Sequence, residues 1–207
     1  MSMQRRPSLG SRLELSTWGE RLLPALVLIG LMWGSEIVDL VTPWELDRFG
    51  IRPRDLGHAA GIVLAPFLHL GFGHLIANTM ALIILGPLLA LSTRHLWIVT
   101  AGVIVLGGLG VWLFGASNSV HIGASGVVYG YAAFLAVYGF VTRHLGQAAV
   151  GVFVIMLYWS LLWGVLPTRS GVSWEGHLFG ALAGVALAVW LGRSDRATRA
   201  GRRTTVI

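Results

Sequence analysis

Long, mostly apolar runs alternate with short polar segments along the chain. Each run is close to the ~20 residues that a helix needs to cross the hydrocarbon core of a bilayer. The pattern predicts an all-α, polytopic membrane protein whose six transmembrane helices form a bundle within residues 21–192. The predicted spans are 22–41, 73–91, 96–114, 123–141, 147–165 and 174–191.

The segments outside these runs are of two kinds. Residues 1–20 are polar and lack the apolar run and small-residue cleavage site of a signal peptide, which predicts a cytoplasmic tail. Residues 193–207 are rich in arginine and form a second predicted tail. The connection 42–72 is too polar to span the bilayer, and its part 59–68 is too apolar to lie free in water. We expect this loop to lie in the membrane interface.

Composition supports a membrane protein and excludes several functions. Of the 207 residues, 55% are hydrophobic and 12% charged, whereas about a quarter of a soluble domain is charged. The absence of cysteine excludes disulfides and thiolate chemistry. The net charge of +6 comes from arginines that lie mostly in the tails or at the ends of apolar runs, so we predict no nucleic-acid partner.

The arginine distribution also predicts the orientation. If both termini are cytoplasmic, the arginines on the outer side are Arg48, Arg52, Arg54 and Arg169. The other eleven of the fifteen then lie inside, as the positive-inside rule requires. The short tails and the lack of organelle signals predict the plasma membrane of a bacterium.

A serine and a histidine occupy small-residue segments at the predicted starts of the fourth and sixth spans. Ser125 lies within Gly123-Ala124-Ser125-Gly126, and His177 precedes Gly180. Glycines at four-residue intervals in both spans allow two helices to approach closely, so Ser125 and His177 can meet. A serine becomes a nucleophile when a neighbouring base takes its proton, and histidine is that base near neutral pH. Packing of small residues alone is the alternative explanation for Ser125.

Other polar residues are predicted near the same end of the bundle. His74 and Asn78 share one face of the second span, and with the backbone N–H of Ser125 they can stabilise an oxyanion. Tyr129 lies one turn below Ser125, where it either packs on His177 or fills space. Asn78 alone is equally explained by an interhelical hydrogen bond.

Glu175, two residues before His177, points to a different side of its helix, so a Ser/His dyad is predicted rather than a triad. A metal site at His58, His69 and His74 is disfavoured because the chain has no H-E-x-x-H pattern. We predict neither a metal nor another cofactor.

Taken together, Gly123-Ala124-Ser125-Gly126 with Tyr129, His177 with Gly180, and His69 followed by His74 and Asn78 resemble the rhomboid family of intramembrane serine proteases. The resemblance implies Ser125 as nucleophile, His177 as general base and acid, and oxyanion support from His74, Asn78 and the Ser125 backbone. It implies single-pass transmembrane proteins as substrates, cleaved near the outer face of the lipid bilayer. It also assigns His69 to local structure. The chain departs from the family at 59–61, where a Trp-Arg pair is replaced by Ala-Ala-Gly.

Tyr158, Trp159 and Trp163 on the fifth span are candidate gate residues, although aromatic side chains often simply face lipid. Two other function classes are considered. A transporter would carry its polar residues through the whole bilayer, whereas these lie near one side. A non-catalytic scaffold or chaperone that binds transmembrane helices predicts loss of the serine or the histidine, and both are present.

Overall fold

The computed structural model describes residues 9–167 and 171–204, with side chains at 19–167 and 171–201. The α-helices in these ranges are α1 (Leu9–Val41), α2 (Gly61–Leu64), α3 (Phe72–Ser92), α4 (Leu96–Phe114), α5 (Ser125–Thr142), α6 (Leu145–Leu157) and α7 (Trp174–Thr204). Short 3-10 helices cover Leu46–Phe49, Leu56–His58, Ala65–Phe67 and Trp159–Val165. The predicted all-helical fold is therefore confirmed. Residues 1–8 and 205–207 of the predicted tails, and Arg169, lie outside the described residues.

Within the described ranges, five helical segments are long and apolar enough to cross a membrane: Gly19–Val41, Phe72–Ser92, Leu96–Phe114, Ser125–Thr142 and Trp174–Gly201. A sixth crossing forms if α6 and the 3-10 helix Trp159–Val165 count as one span. The chain is thus a polytopic membrane protein. Both terminal helices run beyond the predicted spans, α1 beginning at Leu9 and α7 ending at Thr204. The helices continue because the leucine, glutamate, alanine and arginine of these polar ends have high helix propensity.

The fifth predicted span, 147–165, is not one continuous helix. α6 ends at Leu157, and the 3-10 helix that follows is bent by 65° relative to it. The 3-10 helix ends at Val165, and Pro167 disfavours helical backbone at Leu166, which is extended. The bend also brings the carbonyl of Gly164 against His177. Apolar length predicted one span over 147–165, and the structure divides this range into two helices after Leu157.

α5 lies at the centre of the bundle and packs most extensively against α7. A Cβ placed on Gly180 would lie 3.0 Å from Cα of Gly126, and a Cβ on Gly184 would lie 3.0 Å from Cα of Gly130. Side chains larger than hydrogen would force these backbones apart. The close approach predicted from the four-residue glycine spacing is therefore present, and it brings together the first turns of both helices.

The connection between α1 and α3 is anchored to the C-terminal end of α4. The Arg54 guanidinium donates hydrogen bonds of 2.9 Å to the carbonyls of Leu113 and Gly115. The indole N–H of Trp112 donates to the carbonyl of Asp55 at 3.1 Å. These contacts anchor the loop, although the chain has Ala-Ala-Gly at 59–61 in place of a Trp-Arg pair.

Candidate active site

Ser125 and His177 lie at the adjoining N-terminal ends of two packed helices. Ser125 is the first residue of α5, and His177 lies in the first turn of α7. The Oγ atom of Ser125 is 2.9 Å from Nε2 of His177, which is hydrogen-bond distance. His177 is buried, with 8% of its surface exposed. The glycine contacts between α5 and α7 hold the two backbones close enough for these short side chains to meet.

A backbone carbonyl orients His177. Its Nδ1 lies 2.8 Å from the carbonyl oxygen of Gly164, in the bent segment that follows α6. A carbonyl only accepts hydrogen bonds, so Nδ1 carries the proton and Nε2 presents a lone pair to the Ser125 hydroxyl. The ring of Tyr129 stacks on the imidazole at 4.1 Å between centroids and 6° between planes. Together these contacts set the tautomer and the plane of the histidine.

Groups at the starts of α3 and α5 offer hydrogen-bond donors. Asn78 is 5% exposed, and its Nδ2 has no hydrogen-bond partner in the part of the chain that the structure describes. The backbone N–H of Ser125 has no acceptor within its helix because it begins α5. The ring of His74 contacts Gly123, whose φ of +104° and lack of Cβ allow the approach. The site thus offers donors that substrate oxygen can engage.

His69 supports the loop that leads into α5. Its Nε2 accepts a long, 3.4 Å hydrogen bond from the backbone N–H of Ala124, and its Nδ1 lies 3.4 Å from the carbonyl of Phe67. Burial, together with the nearby His74, lowers the pKa of His69 from 6.5 to about 4. A neutral ring fits both contacts, since one nitrogen accepts and the other donates.

A second histidine, His121, ties the same loop to the start of α7, and the sequence did not single it out as a site residue. Its Nδ1 lies 2.6 Å from Oγ of Ser173, and its Nε2 lies 2.7 Å from Oγ of Ser119. Burial lowers the pKa of His121, while the carboxylate of Glu175 opposes this shift. The charge of Glu175 therefore acts on His121. The hydrogen-bond partner of His177 at Nδ1 is instead the backbone carbonyl of Gly164.

A cavity of about 50 Å³ lies beside the serine, bounded by Ile62, Gly107, His121, Ser125 and Ser173 among others. Its volume is enough for a water molecule. Elsewhere, His58 forms a 2.7 Å contact with Asp55 rather than approaching His69 and His74. Within the described ranges, no group of three or more histidine, aspartate or glutamate side chains is placed to hold a metal ion.

Comparison with known proteins identifies the family. The model of the rhomboid domain matches residues 56–194, which is more than half of the chain. The chain belongs to the rhomboid family. This rhomboid is also similar to an uncharacterized protein of Mycobacterium bovis, with 40% identity over 187 residues, covering 86% of this chain and 78% of the relative. An uncharacterized protein of Mycobacterium leprae is 41% identical over 184 residues, covering 84% and 73% of the two chains.

The structure of this rhomboid brings the predicted site residues to one end of the bundle. His177 contacts both Ser125 and Tyr129. His74 on α3 lies against Gly123, and Asn78 is buried one turn further along α3. The supporting glycines form the loop bend at Gly123 and the α5–α7 contact at Gly126 and Gly180. Two functional groups were missed. The position of His121, four residues before Ser125, was a sequence signal that could have identified it. The Gly164 carbonyl had no such signal, because every residue has a backbone carbonyl.

Proposed function

We propose that this rhomboid is an intramembrane serine endopeptidase that cleaves transmembrane segments of other proteins with a Ser125/His177 dyad. The observation that carries the proposal is the 2.9 Å contact between Ser125 Oγ and a histidine whose other nitrogen is held by Gly164. This is the arrangement in which imidazole accepts a hydroxyl proton as the oxygen attacks a carbonyl.

In the acylation step, Ser125 Oγ attacks the carbonyl carbon of the scissile peptide and its proton moves to Nε2 of His177. The resulting imidazolium keeps its Nδ1–H on the Gly164 carbonyl, whose partial negative charge stabilises the cation. His177 then donates the Nε2 proton to the leaving amine as the C–N bond breaks. The substrate remains bound to Ser125 as an ester.

The negative charge that develops on the substrate oxygen needs donors already in position. Asn78 Nδ2 and the Ser125 backbone N–H are proposed for this role, with His74 as a further donor on the same side. A buried donor without a partner is costly in the resting protein. Asn78 recovers this free energy when it donates a hydrogen bond to the oxyanion. Because the oxyanion forms only during the reaction, this hydrogen bond stabilises the transition state more than the bound substrate.

Deacylation requires water next to the ester inside an apolar bundle. The cavity of about 50 Å³ beside Ser125 has room for it, and the side chains of His121 and Ser173 supply polar surface. His177 takes a proton from this water, and the hydroxide oxygen attacks the ester carbonyl. The Ser125 oxygen leaves and recovers its proton from His177.

The bent segment after α6 is the proposed side of substrate entry. An apolar cavity of about 150 Å³ lies between this segment and α5, lined by Tyr129, Ala132, Tyr158, Trp159 and Leu162 among others. Trp159 and Trp163 are each 59% exposed and extend outward. An unwound substrate that enters here would reach Ser125 past Tyr129. Of the three candidate gate residues, Tyr158 and Trp159 line this cavity.

The arginine distribution supports a placement with both termini cytoplasmic and the dyad toward the outer face, in a bacterial plasma membrane. Substrates are then single-pass proteins whose helix-breaking residues lie near that face. Partial unwinding exposes the scissile carbonyl, which an intact helix holds in its own hydrogen bonds.

The test uses purified protein in liposomes with a model transmembrane substrate and a fluorophosphonate probe. We expect cleavage and labelling by the wild type, and loss of both in Ser125→Ala and in His177→Ala. Thermal unfolding in detergent serves as the fold control. Cleavage that persists in Ser125→Ala would refute the dyad, and substrate binding without cleavage by the wild type would favour a scaffold.

A further inference from the structure

A second polar cavity lies at the opposite end of the bundle from the dyad. Its volume is about 290 Å³, and it is bounded by the last residues of α3, the turn before α4 and the far parts of α5 and α7. Tyr138 lines it, thirteen residues along α5 from Ser125, which places it about 20 Å from the serine at 1.5 Å per residue. The cavity is therefore separate from the proposed active site.

The charges around this cavity are predominantly positive. Arg21, Arg94 and Arg199 line it, against the single carboxylate of Asp195. Both oxygens of Asp195 are already engaged, because His95 Nε2 lies 3.1 Å from Oδ1 and the Tyr138 hydroxyl donates to Oδ2 at 2.5 Å. Arg94 lies 3.9 Å from Asp195, too far for a hydrogen bond. Asp195 thus has a hydrogen-bond partner for each oxygen, and the three arginines that line the cavity outnumber this one carboxylate.

A buried hydroxyl in the cavity points to a ligand. Ser92 is 5% exposed and lines the cavity, and its Oγ has no hydrogen-bond partner in the described residues. Its surroundings are well ordered by hydrogen bonds, since Gln147 Nε2 donates to the Ser92 carbonyl at 2.6 Å and Thr142 Oγ1 lies 2.6 Å from Gln147 Oε1. A buried hydroxyl left unpaired costs free energy, which a bound acceptor would remove.

We propose that this cavity binds a phosphate-bearing anion, held by Arg94, Arg199 and Arg21 with Ser92 donating to a phosphate oxygen. Guanidinium groups match phosphate geometry through paired N–H donors. The helices α3 and α5 end near the cavity, and the negative ends of their dipoles oppose an anion, so the arginines must supply the affinity. The phosphate comes either from a lipid headgroup at the membrane surface or from a soluble phosphate.

Binding is measured in neutral detergent by the shift of the thermal unfolding midpoint on titration with phosphatidylglycerol, phosphatidylcholine or inorganic phosphate. We expect saturable stabilisation by phosphatidylglycerol or by phosphate. Arg94→Gln/Arg199→Gln should weaken it at least about tenfold, because two charge-assisted contacts are lost. Arg193→Gln/Arg196→Gln removes the same charge from exposed positions on α7 that do not line the cavity and should bind within about twofold of wild type.

Ser92→Ala separates binding from folding. It removes the unpaired hydroxyl, so the unfolding midpoint without anion should stay constant or rise, while anion affinity falls about three- to tenfold. Stabilisation by phosphatidylglycerol alone identifies a lipid source, and stabilisation by phosphate as well identifies the phosphate group itself. The proposal is overturned if neither anion stabilises the wild type, if both arginine pairs weaken binding equally, or if Ser92→Ala binds as tightly as wild type.

Discussion

We predict that Gly164→Ala slows the proposed reaction, because the Gly164 carbonyl orients His177. A Cβ placed on Gly164 would overlap the Tyr129 hydroxyl and lie 2.9 Å from Cζ of the same ring. It would also lie 3.2 Å from Nδ1 of His177. Gly164→Ala therefore forces the bent segment, or the stacked Tyr129, to move. Either movement lengthens the 2.8 Å hydrogen bond that orients His177.

The size of the effect follows from the charge on the histidine. In the proposed acylation step His177 becomes an imidazolium, and a hydrogen bond to a charged group contributes about 1.5–3 kcal/mol. At 1.36 kcal/mol per tenfold change in rate, loss of this bond lowers kcat roughly 10- to 160-fold. The substrate makes no proposed contact with the carbonyl, so KM should change little.

The assay is cleavage of a transmembrane substrate in liposomes, together with the rate of fluorophosphonate labelling at Ser125. Gly164→Ala is compared with Gly30→Ala, a control on α1 where an added methyl meets no atom within 4 Å. Tyr129→Phe removes the hydroxyl that overlaps the new methyl but keeps the ring stacked on His177. We expect the double variant Gly164→Ala/Tyr129→Phe to recover part of the activity lost in Gly164→Ala.

Two results would refute this reasoning. Wild-type kcat in correctly folded Gly164→Ala would show that the carbonyl does not position His177. A double variant no more active than Gly164→Ala, with an unchanged unfolding midpoint, would show that the overlap with Tyr129 is not the cause of the loss.

Three further predictions concern the oxyanion donors, the helix contact and pH. Asn78→Ala should lower kcat about 10²- to 10³-fold with little change in KM, and an unchanged kcat would remove Asn78 from the oxyanion site. Gly180→Ala should lower the free energy of unfolding by about 1–3 kcal/mol, read from unfolding midpoints in detergent, because the α5 backbone lies against it. Wild-type stability would contradict that packing. The pKa of His69 is lowered from 6.5 to about 4, so the unfolded chain binds the extra proton between these values. Stability should therefore be full above pH 6.5 and fall as the pH drops toward 4, whereas His69→Gln should flatten this dependence; an unchanged pH profile in His69→Gln would contradict it.

The sequence alone predicted the parts of this protein that depend on local pattern. Apolar runs of membrane-spanning length predicted the helices, because backbone N–H and C=O groups find no water in the lipid core and must bond to each other within a helix. Glycines at four-residue intervals predicted the close contact of α5 and α7, since only small residues permit it. The spacing of Ser125, His177, His74 and Asn78 relative to helix starts predicted that they would gather at one end.

The tertiary structure alone decided the features that depend on distant segments meeting. The acceptor that orients His177 is a backbone carbonyl, a group that every residue carries and that no sequence pattern distinguishes. The 65° bend after Leu157, within the range that apolar length predicted as one span, brings that carbonyl into place. Arg54, His121 and Ser92 acquire their roles from partners or cavities formed by other elements. Local periodicity reports which face of a helix is apolar, but long-range packing determines which polar atoms meet there.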